Sequence, residues 1–148
     1  MPSTPYNTVD GVAVPGVVSI PVNYPLAGIT GNIDILTDYV VPFSFQPLAL
    51  RAAVTTVAST ASKLATIGLS VGPTGSAVAV PGASIALTTA TVTPLGKIFI
   101  ANATPATPTA PAVTYPAGTK INLKATGVTA FVEGSMSFII DLRNMDET

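Results

Sequence analysis

Acids, hydroxyls and amines are thinly spread along this sequence, and only a few of their spacings bear on chemistry. Asp34 and Asp38 stand four residues apart on one face of an alternating run. With backbone carbonyls, two such carboxylates suit a hard cation such as Ca²⁺, but the Asp-rich loop that would complete the shell is missing. They therefore read as solvated edge charges, and Asp10 has no acid near it. Ser59 or Ser62 beside Lys63 has the composition of a Ser/Lys dyad, yet nothing in the flanking sequence desolvates that lysine enough to make it a base. Gly68, Gly72 and Gly75 precede no Gly-Lys-Ser/Thr step, so they mark a turn and not a phosphate cradle. Asn102-Ala103-Thr104 has the form of a glycosylation acceptor, read here as a chance match. The tyrosines, at 6, 24, 39 and 115, are too dispersed for a sugar platform but suit interface anchors.

Composition points the same way. The 148 residues include no His, no Cys and no Trp, and 9% are charged. A base titrating near neutrality, a thiolate and the commonest metal ligands are thus missing, so no enzyme, no cofactor and no metal centre are expected. The absence of cysteine also removes any disulfide framework. The first residues, Met1-Pro2-Ser3-Thr4-Pro5-Tyr6, have neither a basic nor an apolar segment, so they do not read as a secretory signal. No run of 18 apolar residues occurs, so no membrane partner is expected. Mean hydropathy is nonetheless +0.59, because Ala and Val are spread along the chain.

The charges are segregated. Asp10, Asp34 and Asp38 occupy the first fifty residues without a base. Arg51, Lys63, Lys97, Lys120 and Lys124 then follow without an acid. Glu133, Asp141, Asp146 and Glu147 close the chain with Arg143. Either these are ordinary solvated charges, or acidic ends complement a basic middle within or between subunits. Five scattered cations without interleaved aromatics are too few for a nucleic-acid site.

The elements that would position these groups are strands. At 14.9 kDa the chain suits one domain, burying about two-thirds of the surface its unfolded chain exposes. From Ile33 onward period-2 runs recur between Gly and Pro signals. Ile33, Ile35, Thr37, Tyr39 and Val41 form one such face; Leu48, Leu50, Ala52 and Val54 another; Ile67, Leu69 and Val71 a third. Lys97-Ile98-Phe99-Ile100 is a short apolar strand. In Lys120–Ala125 the lysines point out and Ile121, Leu123 and Ala125 point in, and Met136, Phe138, Ile140 and Leu142 line one face of the last strand. This spacing argues for an all-β sandwich. Its expected core is Leu50, Ile67, Leu69, Ile98, Ile100, Ile121, Leu123, Phe138 and Ile140. The helical candidates are Pro47–Lys63, read as strand on its Thr and Val content, and Ala83–Thr93. Val14-Pro15-Gly16 and Val80-Pro81-Gly82 read as type II turns, and Tyr115-Pro116-Ala117-Gly118 as a similar corner. Prolines at 105, 108 and 111 have the spacing of polyproline II, which makes 103–111 a stiff exposed loop.

Residues 1–32 differ. Pro2, Pro5, Pro15, Pro21 and Pro25 alternate with Gly11, Gly16, Gly28 and Gly31, and only Gly16–Ile20 looks strand-like. The segment is too poor in core-forming side chains to fold alone. It is expected to be an extended arm, 1–32, ahead of a sandwich domain, 33–148, and to hold another chain through Tyr6, Val17, Val18, Ile20, Tyr24 and Leu26.

The C-terminal half resembles tailed-bacteriophage virion proteins. The carrying residues are Tyr115-Pro116-Ala117-Gly118-Thr119-Lys120-Ile121-Asn122-Leu123-Lys124-Ala125-Thr126-Gly127 and, after a spacer, Glu133-Gly134-Ser135-Met136-Ser137-Phe138-Ile139-Ile140-Asp141-Leu142. An Ala-Gly turn opens a strand, a Thr-Gly step follows, and an apolar strand closes a sandwich. The strand and turn at Ala65–Gly75 are similar too, so the resemblance spans 48–143. It implies a head decoration, or cement, protein: a jelly-roll-like sandwich with an extended arm, located on the capsid surface of the virion. Such a protein binds the major capsid protein and itself, as a homotrimer, and takes no small-molecule substrate. The alternative is a tail or baseplate sandwich module that binds a host glycan or another virion protein.

Overall fold

The computed structural model describes residues 16–104 and 113–146, with the backbone of two short strands, β1 (Thr8–Val9) and β2 (Val12–Ala13), which pair with each other. The expected anchor Tyr6, the Val14-Pro15-Gly16 turn except its glycine, and the prolines of the Thr/Pro loop lie outside the described residues.

Eight further strands make two antiparallel sheets. They are β3 (Val17–Pro25), β4 (Ile33–Val40), β5 (Phe45–Thr56), β6 (Leu64–Val71), β7 (Val78–Thr88), β8 (Ile98–Asn102), β9 (Lys120–Thr129) and β10 (Ser135–Asn144). The first sheet runs β3-β10-β5-β8 and the second β4-β9-β6-β7. The chain crosses between sheets at every step except β6 to β7. Two interleaved Greek keys of this kind constitute the jelly roll, so the all-β sandwich expected from the alternation is the fold, in the jelly-roll-like form that the resemblance implied.

The core lies between the sheets and is built from one face of each strand. Phe138 and Ile140 from β10, Leu50 from β5, Ile121 and Leu123 from β9, and Ile67 and Leu69 from β6 are all buried. Seven of the nine expected core residues therefore face inward. Ile98 and Ile100 do not: each is 64% exposed. β8 pairs Ile98 with Ala53 and Ile100 with Arg51, which puts both isoleucines on the outer face and turns Phe99 and Ala101 inward. An apolar run offers two hydrophobic faces, and a one-residue choice exchanges them.

The arm boundary also changes. Val17–Pro25 is an integral edge strand, paired along its length with β10, and Leu26 and Ile29 after it are fully buried. Its prolines are tolerated because Pro21 and Pro25 stand on an edge strand, where a missing N–H breaks no inner ladder. Pro47 sits in the central strand β5 beside a register shift opposite Asp141 and Leu142, the other place a strand admits proline. Residues 17–29 thus belong to the sandwich.

The helical candidate Ala83–Thr93 is mostly strand. Ala83, Ile85 and Leu87 are buried at period 2, and only Thr89–Val92 forms a helical turn, α1, capped reciprocally by Thr88 and Thr91. Val80-Pro81-Gly82 is not a chain reversal but an irregularity inside β7. Gly82 adopts φ +80, and a Cβ there would overlap the carbonyl oxygen of Asn102 at the end of β8. Thr104 N donates to Pro81 O at 2.8 Å, so β7 and β8 close one side of the sandwich across the two sheets.

Candidate functional surface

The structure disperses the groups that the sequence singled out. Asp34 lies opposite Lys124 in the β4–β9 ladder, beside a shallow depression lined by Asn32, Ile33, Ala125 and Thr126. Asp38 is carried away by two register shifts in β4 and adopts φ +50. Its Oδ1 accepts from Thr74 N (2.8 Å) and Thr74 Oγ1 (2.9 Å), while its own N–H donates to Asn122 Oδ1 at 2.7 Å. The Thr74 N–H, then its hydroxyl, hold the Asp38 carboxyl below the usual range, with Lys120 adding its charge. Asn122 is fully buried and also donates to Gly72 O at 2.8 Å. Asp38 and Asn122 therefore pin the β6–β7 turn. Among the described residues, no three metal-ligating side chains converge.

Ser59 is not arranged as half of a dyad. Its N–H and hydroxyl, and those of Thr60, all donate to Glu133 Oε1, at 2.8, 3.1, 2.6 and 2.8 Å. The Thr60 hydroxyl contributes most, followed by the two backbone N–H groups, and the Glu133 carboxyl is lowered to about 2. Ser62 turns at φ +65, and the Lys63 N–H donates to Thr89 Oγ1. Gly68 lies within β6, while Gly72 and Gly75 take positive φ in the hairpin turn, as a turn requires.

Charge complementarity is realised within the subunit on the outer face of the first sheet. Arg51 Nε and one terminal nitrogen reach the two oxygens of Asp141 at 2.6 and 3.0 Å, and Ser19 Oγ donates to the same carboxylate at 2.6 Å. One group thereby ties together β3, β10 and β5. Burial opposes the Asp141 charge, but the Arg51 and Ser19 hydrogen bonds and the Arg51 charge outweigh it and lower the pKa. This fork geometry adds orientation to attraction.

The expected partner residues divide by strand parity. Ile20 and Leu26 are buried in the chain's own core, so they are core residues and not outward contacts. Tyr24 is half-buried against that core, its ring beside Gly28. Val18 is half-buried, and Val17, 58% exposed, faces outward. Tyr115 stacks on Phe45 with ring centroids 5.4 Å apart and exchanges backbone hydrogen bonds with it, so it anchors a loop.

Two of the large outward aliphatic side chains, Ile98 and Ile100, are ones the alternation placed in the core. Ile98 and Ile100 stand side by side along β8, and Leu95, 71% exposed, lies in the turn that leads into it. The signal that could have revealed them was the polar end of the same parity, Asn102.

No protein-family model matches the chain, and no curated protein matches it. Among solved structures, the infectious bursal disease virus VP2 subviral particle is similar, with a TM-score of 0.38 and 10% identity over 97% of this chain and 37% of that one. Structures of the Gx and Gt strains of that virus are also similar, each with a TM-score of 0.24, at 12% and 9% identity. The chain spans less than half the length of each of these.

Proposed function

We propose that this chain is a structural virion protein: a cement protein that decorates and stabilises the assembled head of a tailed bacteriophage. The observation that carries this reading is the β3-β10-β5-β8 and β4-β9-β6-β7 jelly roll with all four sheet edges blunted. β3 and β7 carry prolines, β8 is five residues long, and β4 is broken by register shifts. Such edges discourage strand addition, so association is left to side-chain faces. One outer face displays exposed isoleucines, and small side chains such as Ser84 and Ala86 are exposed on β7.

The proposed role is mechanical and not catalytic, which suits a sequence with neither His nor Cys. Its partners are the major capsid protein and further copies of the chain, on the capsid surface. A subunit that binds the assembled lattice and not separated subunits stabilises assembly by mass action. Repeated contacts on a symmetric particle multiply a modest affinity.

The test is survival of particles made with and without this protein under heat or osmotic shock. Particles lacking it should assemble and then rupture under milder conditions. Equal survival together with lost host attachment would replace this reading with a tail or baseplate module.

A further inference from the structure

We propose that the outer face of the second sheet binds a neutral oligosaccharide, in a trough that crosses β4, β9, β6 and β7 at Asp34, Lys124, Gly68 and Ser84. Register puts these four residues in one row: Asp34 opposite Lys124, Lys124 opposite Gly68, and Gly68 opposite Ser84. All have the outward parity, since Ile33, Ala125, Ile67 and Ile85 beside them pack toward the core. The row is about 14 Å long, three strand spacings of about 4.8 Å, the span of a short oligosaccharide. At its β4–β9 end lies the depression of about 230 Å³, where Asn32 and Thr126 stand beside the charged pair.

Two observations point to a ligand. A glycine within a strand weakens it, and often marks a bulge, a bend or a close approach. The β6–β7 irregularity after Gly68 does not call for one, because Gly68 is not at positive φ. A Cβ there would meet only Ser84 Cβ, at 3.9 Å, an ordinary contact. Nothing inside the fold uses the space that the missing side chain leaves, so an approach from outside does. The second observation is Asp34 with Lys124. They face each other, yet they form no ion pair, and neither side chain has a hydrogen bond among the described residues. The bulge in β4 directly after Asp34 re-aims that side chain, as bulges beside binding sites do.

The chemistry of the row selects the ligand. The carboxylate only accepts and the ammonium only donates, while Thr126, Ser84 and Asn32 do both. A sugar hydroxyl also does both, so neighbouring hydroxyls satisfy Asp34 and Lys124 together. An anion is opposed by Asp34 and a cation by Lys124. A protein partner is disfavoured because the row offers no large apolar anchor for the centre of an interface. With no aromatic platform each site is weak, and repetition of the chain on a particle multiplies it. This goes beyond the cement reading and does not rest on it, since the free chain is tested with no particle present.

The test is titration of the full chain with maltotriose, cellotriose and chitotriose to millimolar concentration, followed by amide NMR. At least one of them should shift the amides of Asp34, Lys124 and Gly68 and leave those of β3 and β10 in place. Gly68→Val fills the trough with a residue that suits a strand. It should weaken binding about tenfold or more, with a melting temperature unchanged or raised. Lys124→Met keeps the length and loses the donor, and should weaken binding about tenfold in an unchanged fold. Should Gly68→Val melt earlier, Lys124→Met alone carries the test. If none of the three sugars shifts these amides, or if binding ignores the substitutions, the proposal is overturned. It is overturned too if the zwitterion glycylglycine shifts the same amides more strongly than any of the sugars.

Discussion

At the scale of single residues, the tightest polar arrangement is Glu133, whose one oxygen gathers four donors from Ser59 and Thr60. It joins the loop after β5 to the turn before β10. Its carboxyl is lowered from 4.5 to about 2. A depressed folded-state pKa means that the charged form is favoured by folding. The stabilisation is therefore complete above about pH 4.5 and is lost as pH falls toward 2. Glu133→Gln should melt below the wild type at neutral pH, and the two melting temperatures should converge as pH falls through that window. A constant difference from pH 7 to pH 2 would show that the charge contributes nothing. Sequence alone showed Glu133 only as an acid of the tail, because its donors lie more than seventy positions earlier.

At the scale of elements, the irregularities in strands matter more than their regular stretches. Gly82 lies where β7 passes the end of β8, and two separate penalties meet there. Its positive φ disfavours any L side chain, and a Cβ would collide with the Asn102 backbone. Gly75, at φ +94, carries only the first penalty, for nothing lies within 4 Å of its would-be Cβ. Gly75→Ala should cost about 1 kcal/mol, whereas Gly82→Ala should cost on the order of 3 kcal/mol or more. Thermal melts of the two variants check this. Equal losses would mean that the β7–β8 approach is not tight. The Pro-Gly pair was legible as a break in the alternation, but a break inside a strand and a turn between strands share the same residues. Only the partner strand distinguishes them.

At the scale of the molecule, the first and last strands of the sandwich, β3 and β10, are neighbours in one sheet. β3 and β10 pair from Pro25–Ser135 to Val17–Arg143, so nearly the whole chain must be made before that edge closes. Removing residues 1–32 would strip an edge strand and the buried Ile20, Leu26 and Ile29. That truncation should lose cooperative thermal unfolding, whereas removal of residues 1–15 leaves both four-stranded sheets whole and should preserve it. A cooperative melt for the longer truncation would show that β3 is dispensable to the sandwich. Pairings this distant in sequence also predict slow folding, in the millisecond-to-second range, by stopped-flow refolding.

The fold class was decided by local chemistry that any reader of the sequence can see. Alternation in Lys120–Ala125 and Met136–Leu142, with Gly and Pro between the runs, leaves few structures other than a sandwich. The poverty in titrating groups was equally visible, because composition does not depend on folding. Three matters were settled only in three dimensions. Val17–Pro25 became a strand because β10 lay open to receive it, and proline excludes a helix but not a sheet edge. Ile98 and Ile100 went outward because β5 set the register, and an apolar run carries no mark of which face is buried. Arg51, Asp141 and Ser19 met because three strands distant in sequence are neighbours in one sheet. Local residue preference determines what a segment can be; the pairing of distant strands determines which way it faces and what it meets.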